Sequence, residues 1–238
     1  MERESDERAA LNCSTVAMLT APAESAFAGA VGIYSFEMLG TAVFAVTGVL
    51  AVSRRGLDIF GALVLGLVTA IGGGTARDVM IRAPVFWIED FNYAWAALIG
   101  ALLAFWIGPH FSSTHRTLLY LDGLGAALFA VTATHKVLLL HLGAPTAVIM
   151  GVLTAIGGGI LRDVWAGRPT LLMSREIYAT PILLGCTVFV WSHPDRLPFG
   201  SSGLVAVVLI FGLRALAIHR QLEIPAWLTH RKESGGSD

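Results

Sequence analysis

The sequence has little charge and almost no cysteine. Of its 238 residues only 14% are Asp, Glu, Lys or Arg, and the formal net charge is −1, whereas soluble domains carry roughly 25% charged residues. The scattered basic residues form no patch, so the composition argues against a nucleic-acid partner. Two cysteines, Cys13 and Cys186, are too few and too far apart for a disulfide framework or a metal cluster.

Features of catalysis are also missing. No serine or cysteine nucleophile stands beside a histidine, no dinucleotide fingerprint is present, and the histidines lie near span ends without ligand spacing. The stretch GGGTARD lacks the preceding strand and the lysine of a phosphate-binding loop. The sequence therefore predicts no enzyme, no cofactor and no metal site.

Long apolar blocks dominate instead. Hydrophobic residues make up 55% of the chain, the mean hydropathy is +0.70, and the blocks have the length that crosses a hydrocarbon core of roughly 30 Å. We predict an all-α membrane protein with seven transmembrane helices, at 33–52, 58–81, 91–108, 118–139, 145–165, 177–192 and 202–219.

The ends and loops set the expected topology. Residues 1–30 begin with an acidic excess and predict a mostly disordered tail, and residues 221–238 predict a second solvated tail. Eight basic residues against five favour the N-terminus outside and the C-terminus inside, in a multi-pass protein of the inner membrane. Arg214 is then expected to snorkel near the inner end of the last span.

The chain is internally duplicated. Residues 37–84 align with 122–169 at an offset of 85 without a gap, with about 21 identities in 48 positions. Small apolar matches arise by composition, but a shared GGG-x-x-RDV-x₄-P block does not. We predict a first repeat at 31–112, a second at 113–197 and an extra helix at 198–220. Three spans per repeat, an odd number, predict that the second repeat is inverted.

Each repeat carries a glycine triplet in its second helix. Three adjacent glycines, each costing roughly 1 kcal/mol relative to alanine, favour a kink or a break that lines an ion or substrate path. Close helix packing is the alternative. The residues are Gly72, Gly73, Gly74, Gly157, Gly158 and Gly159.

Charged side chains follow each triplet, as Arg77 with Asp78 and as Arg162 with Asp163. Neighbours on a helix point about 100° apart, so we expect each arginine to pair elsewhere, with Glu37 or Asp122 at the repeat heads or with an aspartate of the opposite repeat. These pairs are either a structural lock or part of a gate. The four carboxylates outnumber the two arginines, which favours cations.

Two repeated threonines, Thr69 and Thr154, precede the triplets. They either line a path or bond their own i−4 carbonyls, the usual arrangement in membrane helices.

These features together resemble the trimeric intracellular cation (TRIC) channel family, whose bacterial members are also labelled glycine transporters. The resemblance rests on the doubled GGGxxRDV block and on two three-helix repeats followed by one helix, and it covers about residues 31 to 220. It implies a homotrimer in the lipid bilayer with an ion path in each subunit, helices kinked at the glycines, and potassium or sodium as the permeant ion.

The combined hypothesis is a monovalent cation channel. Thr69 and Thr154 would line the path, Arg77 and Arg162 would bias gating, and Asp78 and Asp163 would hold the arginines and draw cations. The alternatives are a secondary transporter of a small amino acid such as glycine, because inverted repeats serve both functions, and a membrane scaffold without transport.

Overall fold

The computed structural model is all-helical over the residues it describes, 31–53, 58–108, 114–173, 177–192 and 199–222. The predicted tail 1–30 and most of the tail 221–238 lie outside these residues. The described ranges contain eight α-helices and one 3₁₀ turn, Leu171–Met173. The helices are α1 (Val31–Val52), α2 (Ile59–Met80), α3 (Phe86–Glu89), α4 (Asn92–Ile107), α5 (Thr114–Leu139), α6 (Ala144–Trp165), α7 (Ala179–Ser192) and α8 (Phe199–Arg220).

Seven of these helices coincide with the seven predicted apolar spans, while the one-turn helix α3 was not predicted. Five of them (α1, α2, α5, α6 and α8) are long and apolar enough to cross a membrane, and α4 and α7 are shorter apolar helices. α5 is the most buried of the five. It contacts α6, α7 and α8, while α2 contacts both α4 and α6.

Both glycine triplets lie inside uninterrupted α-helix, so the predicted break of α2 and α6 is wrong. Packing between the two helices explains the central glycine of each triplet. A Cβ atom on Gly158 would lie 2.5 Å from the carbonyl oxygen of Thr69, and one on Gly73 would collide with the carbonyl oxygen of Thr154. The helix backbones therefore touch at their crossing, which is what small residues permit in membrane proteins. A kink without unwinding stays a prediction.

The contacts at this crossing are reciprocal. Gly73 lies 85 residues before Gly158, and Thr69 lies 85 residues before Thr154, so each repeat offers the other the same glycine and the same carbonyl. Two aromatic rings show the same relation: Phe44 of α1 and Phe129 of α5 stack with centroids 5.5 Å apart and planes 11° apart. The two repeats thus meet through corresponding residues in the core.

The ends of α2 and α6 also correspond. Each helix closes with a residue in the left-handed region, Arg82 at φ 54° and Gly167 at φ 56°, and the next amides, of Ala83 and Arg168, return to the carbonyls of Asp78 and Asp163. Glycine adopts this conformation without strain, whereas Arg82, which has a Cβ, adopts it in the first repeat at an energetic cost.

We expect alanine at Gly73 or Gly158 to destabilise the protein by about 1–3 kcal/mol, because the new methyl group meets backbone that cannot rotate away. The thermal unfolding temperature in detergent measures the effect. Gly212 of α8 is the matched control, since a Cβ there meets nothing within 4 Å. Gly212→Ala should leave the unfolding temperature unchanged or raise it, and an unchanged temperature for Gly73→Ala would contradict the close crossing.

We expect Arg82→Gly to stabilise the protein by about 1 kcal/mol, because a left-handed conformation costs a residue with a Cβ roughly 1–2 kcal/mol. Arg82→Ala keeps that strain while removing the charge, and should therefore not raise the unfolding temperature. Equal gains from both substitutions would attribute the effect to the charge and not to the backbone.

Two buried charge clusters as the candidate functional site

The first charge cluster, Glu37, Arg77 and Asp78, lies between α1 and α2. Arg77 Nε donates a hydrogen bond to Asp78 Oδ1 at 2.8 Å, and Arg77 Nη1 lies 3.5 Å from Glu37 Oε1. Lys136 of α5 adds a second cation, with its Nζ 2.9 Å from Asp78 Oδ1. Arg77 and Asp78 are fully buried, so their charges are compensated within the protein and not by solvent.

The second charge cluster, Asp122, Arg162 and Asp163, repeats this arrangement 85 residues later. Arg162 Nε donates to Asp163 Oδ1 at 2.9 Å, and Arg162 Nη1 donates to Asp122 Oδ1 at 2.7 Å. The repeat-head carboxylates, Glu37 and Asp122, thus stand in the same place beside their arginines. Both clusters join the first and second helices of one repeat, and neither arginine pairs with a described aspartate of the opposite repeat.

The expectation that adjacent arginine and aspartate side chains cannot pair is wrong. The angle of about 100° separates the Cα–Cβ directions, but an arginine side chain is long enough for its Nε to turn back to the next carboxylate. That pairing leaves Nη1 to face the repeat-head carboxylate, so one guanidinium bridges two acids. In the second cluster Nη2 also donates to Asp163 Oδ2, at 3.2 Å.

Each aspartate also fixes the chain that follows its helix. Asp78 Oδ2 accepts the amide of Phe86 at 3.0 Å, and Asp163 Oδ2 accepts the amide of Leu171 at 3.1 Å. Phe86 and Leu171 are themselves 85 residues apart. The aspartates therefore carry a structural function, holding the connection after the second helix against the charge cluster.

A tyrosine in each repeat belongs to the site and was missed by the sequence analysis. Tyr93 of α4 donates its hydroxyl hydrogen bond to Glu37 Oε2 at 2.9 Å. Tyr178 occupies the corresponding position, and its hydroxyl lies against the backbone of Gly159 beside Asp122. The two tyrosines are also 85 residues apart, so extending the same alignment beyond residue 84 would have found them.

A further cationic side chain lies at each cluster and comes from the helix that follows the repeat. At the first cluster it is Lys136 of α5, which binds Asp78. Arg214 of α8 lies beside the second, with its Nη1 donating to the carbonyl of Ile177 at 3.0 Å and its guanidinium 4.5 Å from the ring centroid of Tyr178. The prediction that Arg214 snorkels is wrong, because only 1% of it is exposed; the ring and the carbonyl replace the solvent.

The two clusters differ in access. In the second, the side chains of Arg162 and Asp122 are 0% exposed. In the first, Glu37 is 12% and Lys136 is 28% exposed, and both line a cavity of about 300 Å³. Thr132, which is fully buried, also lines this cavity. The charge cluster is therefore buried in the second repeat and open to a cavity in the first.

The remaining candidate residues lie between the clusters. The hydroxyl groups of Thr69 and Thr154 donate to the carbonyls of Leu65 and Met150, at 2.7 and 2.6 Å, within their own helices. The third glycine of each triplet abuts a cluster or its surroundings: a Cβ on Gly159 would lie 3.1 Å from Asp122 Oδ1, and one on Gly74 would lie 2.6 Å from the ring of Phe86.

The first glycines, Gly72 and Gly157, flank the crossing. A Cβ on Gly72 would meet the side chain of Leu161, whereas one on Gly157 would meet only the Cα of Gly73, at 3.2 Å. Within the described ranges, no three His, Cys, Asp or Glu side chains are arranged to hold a metal ion. The site is therefore built from ion pairs, two tyrosines and helix backbone.

Comparison with known proteins gives consistent matches over most of the chain. The family model described as glycine transporter matches residues 34–109 and again residues 119–194. A UPF0126 membrane protein of Vibrio cholerae is 39% identical over 211 residues, which cover 82% of each chain. The UPF0126 inner membrane protein YadS of Escherichia coli K12 is 35% identical over 198 residues, which cover 82% of this chain and 96% of YadS.

The chain is also similar to solved structures. The TRIC trimeric intracellular cation channel orthologue from Rhodobacter sphaeroides is 39% identical with a TM-score of 0.77, over 80% of this chain and 98% of its own. A second TRIC cation channel is 28% identical with a TM-score of 0.72, over 85% of this chain and 98% of its own. The chain therefore belongs to the prokaryotic TRIC channel family, the family that the glycine-transporter model also describes.

Proposed function

We propose that the protein is a monovalent cation channel of the inner membrane, passing potassium or sodium through a path inside each subunit of a homotrimer. The two solved relatives at 39% and 28% identity are cation channels, and the first is trimeric. YadS is an inner membrane protein. These properties are carried to this chain because the matches cover at least 80% of it.

The observation that carries the proposal is the acidic lining of the cavity beside the first cluster. The described residues that line it include three carboxylates, Glu37, Glu89 and Asp90, against the one ammonium group of Lys136, whereas the carboxylates inside the two clusters are balanced by Arg77, Arg162, Lys136 and Arg214. A charge at the bilayer centre costs roughly 2.5–3.5 kcal/mol on insertion scales, and intramembrane charges commonly mark ion paths. A negative lining attracts cations and repels anions.

The proposed arrangement in the membrane has seven spans. The five long helices cross together with α4 and α7, the N-terminus lies outside and the C-terminus inside, and the second repeat is inverted relative to the first. The reciprocal contacts of Gly73 with Thr154 and of Gly158 with Thr69 support a two-fold relation between the repeats.

The path starts in the open cavity of the first cluster and passes Thr132 toward the glycine crossing. There the helices α2 and α6 touch, backbone against backbone, so this conformation is closed at that level. Opening separates the two helices around Gly72–Gly74 and Gly157–Gly159 and brings Thr69 and Thr154 to the path. Arg77 and Arg162 bias that movement, and Asp78 and Asp163 hold the arginines and draw cations.

The first experiment is single-channel recording of the purified protein in a planar bilayer under a potassium chloride gradient. Discrete currents that reverse near the potassium equilibrium potential would establish the cation channel. Silence in the bilayer, together with saturable uptake of labelled glycine into proteoliposomes, would replace the channel by an amino-acid transporter.

We expect Lys136→Met to increase potassium current at least about twofold at low ionic strength, because the ammonium at the cavity floor repels entering cations. The increase should shrink as salt rises and screens the field. Unitary current amplitude and open probability, measured at two salt concentrations, report the effect.

Lys136→Arg is the matched control, since it keeps the charge beside Asp78, and its current should resemble that of the unmodified protein. A lower current in Lys136→Met than in Lys136→Arg, at equal unfolding temperature, would contradict the position of Lys136 in the proposed path.

A further inference from the structure

The cavity beside the first charge cluster has an aromatic wall. Tyr34, Phe86 and Tyr93 line it, and the rings meet edge to face, with centroids 5.6 Å apart for Tyr34 and Tyr93 and 4.9 Å apart for Phe86 and Tyr93. Aromatic rings attract cations to their faces, and they do so most strongly where water is excluded. The wall is therefore suited to a cation that also carries an apolar body.

The rim of the same cavity carries two carboxylates that form no ion pair with the residues that the structure describes. Glu89 and Asp90 line it together with Glu37. Asp90 accepts hydrogen bonds from the hydroxyl of Tyr34 and from the amide of Asn92, both at 3.0 Å, which are neutral donors. In the described part of the chain no lysine or arginine forms an ion pair with Glu89 or Asp90. Among the described residues Glu37 thus has a counter-ion in Arg77, and the two rim carboxylates have none.

The cavity already borders one alkylammonium side chain. Lys136 lines it, and the ammonium group of Lys136 binds Asp78 at 2.9 Å, so this cation does not occupy Glu89 or Asp90. The ring of Phe86 also lies near a cation outside the lining, the guanidinium group of Arg77, 5.7 Å from the ring centroid. The volume of about 300 Å³ leaves room for a further small molecule.

We infer that this cavity is a binding site for a small alkylammonium cation, whose charged group lies between the carboxylates of Glu89 and Asp90 and the aromatic wall, and whose alkyl chain extends along the apolar lining. Ile33 and Leu139 complete the apolar lining for that chain. A bare inorganic ion would use the carboxylates but gain little from the rings and the apolar surface. The site therefore discriminates by the apolar body as well as by charge, and its occupancy does not depend on ion conduction.

The test is isothermal titration calorimetry of n-butylammonium chloride into the full chain in a non-ionic detergent at low salt. Empty micelles give the blank, and 1-butanol serves as the uncharged probe. We expect saturable binding of butylammonium and none of 1-butanol. The double variant Glu89→Gln with Asp90→Asn should weaken butylammonium binding about tenfold, a change of about 1.4 kcal/mol, while keeping one of the two hydrogen-bond acceptors of Asp90.

Asp58→Asn is the matched control. Asp58 is exposed and caps α2 through the amide of Gly61, and asparagine caps equally well, so this variant removes one surface charge far along the chain from the rim. It should bind butylammonium like the unmodified protein. Absence of saturable binding, or equal weakening in Asp58→Asn and in the rim variant, would overturn the inference.

Phe86→Leu tests the aromatic wall separately, because it keeps an apolar side chain and removes the ring. We expect about threefold to tenfold weaker binding, from the loss of a cation–π contact, at an unfolding temperature that shows the chain still folded. Undiminished binding in Phe86→Leu would assign recognition to the carboxylates alone and refute the aromatic part. Because calorimetry reads binding and not current, a protein that binds butylammonium but passes no cations would contradict only the proposed channel function.

Discussion

A guanidinium group inside an apolar helix must find its compensation within the protein, and this requirement organises the molecule. Arg77 and Arg162 each bridge the next aspartate on their own helix and a carboxylate on the preceding helix of the repeat. Removing one partner of a buried pair typically costs about 3–5 kcal/mol, because the remaining charge is left uncompensated. The bridges therefore fix how the first two helices of each repeat sit together.

The aspartates extend this constraint along the chain. With their second oxygen they hold the amides of Phe86 and Leu171, and thereby the segments that lead to the tyrosines. The third glycine of each triplet packs against Phe86 in one repeat and against Asp122 in the other. The helices that cross at the central glycines therefore also contact a charge cluster or the residue that Asp78 holds.

The residues of the glycine crossing and of the charge clusters could be predicted from the sequence, but most of their geometry could not. The offset of 85 residues predicted the duplicated glycines, arginines and aspartates, because a block with charges in an apolar helix is too improbable to arise twice by composition. The repeat-head carboxylates Glu37 and Asp122 were named as partners on the same ground. The ends of the second helices were harder to predict. Each needs a residue in the left-handed region: Gly167 indicates this in the sequence, whereas Arg82 does not.

Three errors have a common physical origin. The break at the glycines, the separation of Arg77 from Asp78 and the snorkelling of Arg214 were all inferred from one helix at a time. The packed neighbours decide each case: α6 fills the space that glycine leaves on α2, Glu37 draws the guanidinium of Arg77 into a bridge, and Tyr178 covers Arg214. The local sequence limits the conformations and partners that such residues can adopt, and contacts with neighbouring helices determine which of them occurs.

The two clusters differ in access although the chain is duplicated. The second is enclosed, whereas the first borders a cavity, a partly exposed lysine and, at the rim, two carboxylates that form no ion pair with any described residue. An enclosed ion bridge stabilises a helix pair but offers nothing to an ion or ligand from outside. The first cluster meets its cavity through Glu37 and through Lys136, whose ammonium group binds Asp78. Matching arginines and aspartates at the same spacing therefore form a closed ion bridge in the second repeat and one that borders a cavity in the first.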